Sequence, residues 1–150
     1  MLDKSSSNVG ALYNRIRDQI GTETSKIQLL LQSFGFKHGL PKDSDFVFDV
    51  RCLPNPYWQP GLSTFTGLDQ AIIQYLEMIP EVQHLKNDIC HFIETWLPFF
   101  EADNRSHITV AIGCTGGQHR SVYMVESLAK KIQSKISNIQ IRHRDLAITS

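Results

Sequence analysis

Between Thr109 and Val122 the chain reads as an apolar run, a glycine-flanked loop and the opening of an apolar helical pattern: Thr109-Val110-Ala111-Ile112-Gly113-Cys114-Thr115-Gly116-Gly117-Gln118-His119-Arg120-Ser121-Val122. A strand that feeds a helix through a short loop belongs to layered α/β folds and excludes most all-helical and all-β arrangements. The loop also has a chemistry. Glycines let backbone N–H groups turn inward around a small anion. The start of the following helix adds unsatisfied donors and a partial positive charge. Arg120 brings a planar fork that can grip a phosphate through two hydrogen bonds, and Thr115 and Ser121 add hydroxyls. Cys114, Thr115, Gly116, Gly117, His119, Arg120 and Ser121 are therefore the candidate phosphate ligands. A plain strand-to-helix turn would need the glycines but none of the reactive or charged side chains.

The remaining pattern supports the same fold class. Ile27 to Phe34 reads as a strand bounded by Gly35 and Gly39-Leu40-Pro41, and Phe46 to Val50 as a second strand. Leu68, Ile72, Leu76 and Ile79 mark a helix ended by Pro80; Leu85, Ile89, Phe92, Ile93, Trp96 and Leu97 mark another, stopped by Pro98. Ile108 to Ile112 is apolar on both faces, as a central strand buried between helices would be. Val122, Val125, Ala129 and Ile132 form one helical stripe, and Ile139 to Arg144 alternates as a last strand. Val9, Leu12, Ile16 and Ile20 predict a short helix over residues 9–20, preceded by a polar, flexible lead-in over residues 1–8. The expected architecture is a layered α/β domain over residues 9–150, with a central, mostly parallel four-stranded sheet flanked by helices. In such sheets ligands sit beyond the carboxyl ends of the strands. The loop after Ile112 and the loop after Val50 should therefore be neighbours.

Composition narrows the function. The 150 residues carry no net charge, so a nucleic-acid surface would have to be a local patch. The one basic concentration is Lys130, Lys131, Lys135, Arg142 and Arg144; it reads as a solvated surface or as an RNA contact. Three cysteines, Cys52, Cys90 and Cys114, cannot all pair within one chain, and no Cys or His spacing suits zinc. These features predict a cytoplasmic protein with no metal and no cofactor.

Cys114 and Arg120, with Ser121 following, share the Cys-x5-Arg-Ser pattern of cysteine-dependent phosphatases, whose thiolate attacks phosphorus. Gly113 stands where those enzymes place histidine, and His119 where they usually have glycine. Asp49 is the best candidate for a general acid. Placed in an apolar strand it is costly unless paired, either with Arg51 or Arg120 in a buried structural pair, or with a ligand's hydroxyls or amine. Asn55, Tyr57 and Trp58 can line the same cleft and suit the face of a sugar, although Trp58 reads first as a core residue. His38 reads as a surface residue.

Several ordered motifs then combine: Ser33-Phe34-Gly35-Phe36-Lys37-His38-Gly39-Leu40-Pro41, Asp45-Phe46-Val47-Phe48-Asp49-Val50-Arg51, Leu53-Pro54-Asn55-Pro56, Thr66-Gly67-Leu68-Asp69, the Ala111–Ser121 loop and Arg142-His143-Arg144. From about Ser33 to Leu146 the chain resembles the C-terminal domain of the RapZ family of RNase adapter proteins. The resemblance implies a non-catalytic sensor that binds glucosamine-6-phosphate. In enterobacterial members it also implies small regulatory RNAs, presented to ribonuclease E in the control of amino-sugar synthesis. It further implies homo-oligomers and no membrane. The phosphate would sit on Thr115, Gly116, Gly117, His119 and Arg120; Asp49, Arg51, Asn55 and Tyr57 are candidate partners for the sugar. Tyr57 replaces a histidine common in the family. Nucleotide hydrolysis in that family belongs to an N-terminal P-loop domain, and no GxxxxGK[ST] motif occurs in this chain. The end Arg144-Asp145-Leu146-Ala147-Ile148-Thr149-Ser150 lacks the basic tail of the RNA-binding members, which would release counterions from RNA.

Overall fold

A computed structural model describes residues 27–146; the lead-in and the helix expected over residues 9–20 lie outside them. Four strands form one parallel sheet: β1 (Gln28–Gly35), β2 (Phe46–Asp49), β3 (His107–Cys114) and β4 (Ile139–His143), in the order β2-β3-β1-β4. Between β2 and β3 run α1 (Gln70–Glu77) and α2 (Pro80–Ala102), and α3 (Arg120–Ile132) joins β3 to β4. The two continuous apolar runs become the two central strands. The two shorter runs, apolar over residues 46–50 and alternating over residues 139–144, become the edges, where at least half of each strand meets water.

Both helical crossovers move the chain in the same direction across the sheet. Right-handed connections therefore bring all three helices to one face. Register shows which face: Leu29 and Leu31 lie opposite Ile108 and Val110, and all four are buried in the core with Val125, Leu128 and Ile132. Phe46 and Phe48 of β2 meet Phe92 of α2 edge-on, with centroids 5.1 and 5.5 Å apart. Each large apolar side chain fully buried here contributes about 1.5–3 kcal/mol. The connection from β1 to β2 runs the opposite way, over the other face, where the rings of Phe34 and Phe36 lie against Gly113. Among the described residues the second face of β3 is covered there by Phe34 and by the 3-10 turn Phe36–His38 that follows β1.

Two proline readings are corrected. Pro80 begins α2 instead of ending α1, because its missing N–H is no loss at the first helical position. Pro98 lies inside α2, which continues to Ala102 and sets Phe100 against Phe46, with centroids 5.4 Å apart. Leu68 is not on the α1 stripe; it precedes the helix and is exposed.

A candidate anion-binding site

The strand ends converge as the topology requires. Asp49 lies opposite Gly113 and Gly35 opposite Cys114, so the loops after β1, β2 and β3 meet above one edge of the sheet. The backbone packing there excludes side chains. A Cβ on Gly35 would stand 2.5 Å from the Gly116 carbonyl carbon, and one on Gly113 would stand 2.4 Å from the Phe34 ring. Gly113, in the place of the phosphatase histidine, is thus fixed by the two phenylalanine rings. Gly117 turns with φ +78°, a conformation that side-chain-bearing residues rarely take.

Arg120 is the first residue of α3 and is only 4% exposed. Its Nη1 donates to the carbonyls of Arg51 and Leu53, each at 2.8 Å, and ties the loop after β2 to the helix. Its Nη2 reaches the Thr115 hydroxyl at 3.3 Å, and its Nε has no partner. Among the described residues no carboxylate lies within ion-pair distance of this guanidinium. Asp49, whose pKa is lowered first by its Arg51 hydrogen bond, is near enough for the Arg120 charge to help, but a buried cation without a direct ion pair is still costly. The Nε–Nη2 edge, turned towards Thr115, is the edge that grips an oxyanion with two parallel hydrogen bonds.

Its neighbours fit the same ligand. His119 caps α3 with no side-chain hydrogen bond to the helix, so the first N–H groups stay available. Its ring is buried and bonded to the Phe65 carbonyl, while Nε2 has no partner. Burial first, and then the Arg120 charge, push its pKa down against the opposing Phe65 bond, which favours the neutral ring. Cys114 Sγ lies 3.1 Å from Ser121 Oγ at the buried base of the loop. Thr115 is exposed at its rim, and its carbonyl accepts from Lys37 N at 3.2 Å.

The residues predicted for a sugar are placed less uniformly. Asp49 ends an edge strand with its side chain 47% exposed, which corrects the expectation of a buried carboxylate. Of the two expected pairings only that with Arg51 forms, through Nε at 3.0 Å and Nη2 at 2.7 Å. That hydrogen-bonded pairing holds Asp49 below the ordinary carboxylate range, against a smaller effect of burial. The Arg51 guanidinium carbon also lies over the Phe36 ring, 3.8 Å from its centroid. Asn55 spends its Oδ1 on the backbone N–H of Tyr57 at 3.1 Å. Tyr57 and Trp58 are exposed, Trp58 by 76%, so the core reading of Trp58 is corrected. His38 is exposed, as expected.

The five basic residues do not form one surface. Lys135 pairs with Glu94 at 3.3 Å and Lys131 bonds to the Asn87 amide. Arg144 lies beyond β4 and pairs with Asp145 at 2.8 Å. Lys130 and Arg142 are exposed; Arg142 lies opposite Gln32, on the sheet face away from the helices. Sequence patterning missed two residues at the anion loop. Lys37 places its Nζ within 3.8 Å of where a Gly116 Cβ would stand. Asp145 accepts from Gly35 N at 2.8 Å. Both reach the loop from other elements, so no local spacing announced them.

Residues 27–147 match the profile of a family described as the RapZ C-terminal domain. The chain belongs to this family. Among its relatives, a protein of Hahella chejuensis named as a nucleotide-binding protein is 49% identical over 147 residues, which cover 97% of this chain and 51% of that one. One of the same description from Alkalilimnicola ehrlichii is 52% identical over 145 residues, with 97% and 50% covered. Another from Pseudomonas putida is 56% identical over 117 residues, with 78% and 41% covered. The chain thus spans about half the length of these family members. Among the described residues there is no helix long and apolar enough to cross a membrane, and no cluster of metal-ligating side chains.

Proposed function

We propose that this chain is a non-catalytic sensor domain that holds a phosphorylated amino sugar, glucosamine-6-phosphate, in the Cys114–Ser121 loop. One observation carries the reading: among the described residues Arg120 is buried with an unpartnered Nε and no carboxylate within ion-pair distance, beside a glycine loop and an uncapped helix N-terminus. A phosphate dianion supplies a direct counter-charge and accepts from those amides. Asp49 and Arg51 stand at the neighbouring strand end, where a sugar attached to that phosphate meets a carboxylate and a guanidinium.

The same site can be weighed as a cysteine phosphatase. The Cys114–Ser121 contact favours that chemistry, since a hydroxyl donor stabilises a thiolate. The carboxylates nearest the loop oppose it. Asp49 is held by the Arg51 guanidinium, and Asp145 by Arg144 and the Gly35 N–H, so both carboxylates are already engaged and neither is placed to hand a proton to a leaving oxygen. The loop holds its ligand without cleaving it.

In this reading the domain works in the cytoplasm as a homo-oligomer and passes its ligand state to protein or RNA partners, with small regulatory RNA and ribonuclease E as the partners to test. Lys130 and Arg142 are the cations most open to RNA; Lys131, Lys135 and Arg144 would have to leave their present partners. Calorimetric titration with glucosamine-6-phosphate and with glucosamine tests the reading. The phosphorylated sugar should bind and the free sugar should bind far more weakly. Equal affinity for the two would refute a phosphate-centred site.

A further inference from the structure

We infer that Asp145 is the positioning residue of the anion loop, an inference that rests on the sensor reading above. Asp145 holds the loop from behind at three points. Its Oδ2 accepts the Gly35 N–H at 2.8 Å, and Gly35 is the residue whose backbone lies directly against the Gly116–Gly117 peptide. Its main-chain carbonyl accepts from Gln118 Nε2 at 2.7 Å. Its Cβ stands 3.1 Å from the position a Cβ on Gly117 would occupy. One residue thus braces Gly35, Gly117 and Gln118, and through them the amides that face an anion.

The neighbours of Asp145 make the brace rigid. Arg144 meets the carboxylate through Nε and Nη2, at 3.1 and 2.8 Å, and also donates from Nη2 to the Gly39 carbonyl at 2.6 Å. His143 is held by the Ser33 hydroxyl and by Glu126, each at 2.7 Å. The end of β4 is therefore anchored to β1 and to α3 before it reaches the loop. This arrangement gives Arg144 a task other than contacting RNA.

Position and charge predict opposite effects of losing the Asp145 carboxylate. A carboxylate behind an anion site repels the anion, so its removal should tighten binding if charge alone mattered. If Asp145 acts by position, its removal loosens the loop and weakens binding. The test uses the 150-residue chain, inorganic phosphate as the probe, and Asp145→Ala beside Asp145→Asn. The asparagine keeps a side-chain oxygen for the Gly35 N–H. Asp145→Ala should bind phosphate roughly tenfold more weakly, about the loss of one charge-assisted hydrogen bond, while Asp145→Asn recovers most of it. Backbone amide exchange of residues 115–119 without ligand should quicken in the alanine variant and stay near the parent rate in the asparagine variant. Tighter binding by Asp145→Ala, or unchanged loop exchange in it, would overturn the inference. Should the parent chain bind no phosphate, the sensor reading falls, and the exchange rates still decide whether Asp145 positions the loop.

Discussion

Among single residues Arg120 matters most, because its buried Nε has no partner. Its Nη1 is saturated by two carbonyls, which fixes the side chain and leaves the buried Nε as its unpartnered donor. Arg120→Ala should weaken phosphate ligands by ~1.5–3 kcal/mol, the range for hydrogen bonds to charged groups. Cys114→Ser should leave the affinity almost unchanged, since the thiol only lines the base of the loop. Calorimetry on the two variants checks this, and equal losses would contradict the division of roles. Gly35→Ala should destabilise the fold by about 1–3 kcal/mol in urea titrations, because its Cβ would collide with backbone that cannot give way. The place of the candidate loop between strand and helix was legible because Cys114 to Ser121 is contiguous and its residue types exceed what a turn needs. Asp49 was misjudged because an apolar run does not reveal that its last residue ends an edge strand. Lys37 and Asp145 stayed hidden because only tertiary structure brings them to the loop.

Individual elements show which local rules prevailed. The central strands are intolerant and the edges are not: Ile112→Ala, at a fully buried position of β3, should cost about 2–5 kcal/mol. Val47→Ala, at a 43% exposed position of β2, should change stability by only about 0.5 kcal/mol. Comparable urea midpoints for the two would contradict the sheet order. The strands and α3 were readable because their apolar runs are bounded by turn residues. The apolar stripe of helix α2 was readable too, but its ends were not, because proline is ambiguous in sequence: it starts the helix at Pro80 and is tolerated within it at Pro98. The aromatic packing of Phe99 and Phe100 beyond Pro98, with Phe100 seated against Phe46, offsets the hydrogen bond that Pro98 cannot make. The helix face of the sheet could not be read from hydropathy at all; it follows from strand order and crossover handedness.

For the whole molecule, pH should report on the same groups. His119 is buried and its folded pKa lies below 6.5, so its contribution is present above 6.5 and is lost as pH falls through the lowered value. Asp49 and Asp145 lie below 3.8 when folded; their contributions persist to about that pH and vanish as pH falls through the lower folded values. Burial, aided by Glu94, pushes the Cys90 thiol from 9.0 to about 11, so its contribution declines as pH rises from 9.0 towards 11. Urea midpoints across pH should therefore show a plateau between 6.5 and 9.0 with losses on both sides, and a maximum near pH 5 would contradict these assignments. A bound anion should raise the midpoint further, by mass action on the folded state. The most direct test of the central claim is nitrogen–proton correlation NMR on the arginine Nε–H groups and loop amides during titration with inorganic phosphate. The account predicts that the Arg120 Nε–H and the amides of residues 115–119 shift together and saturate. Shifts confined to the Arg142 Nε–H, with Arg120 and the loop unmoved, would contradict it.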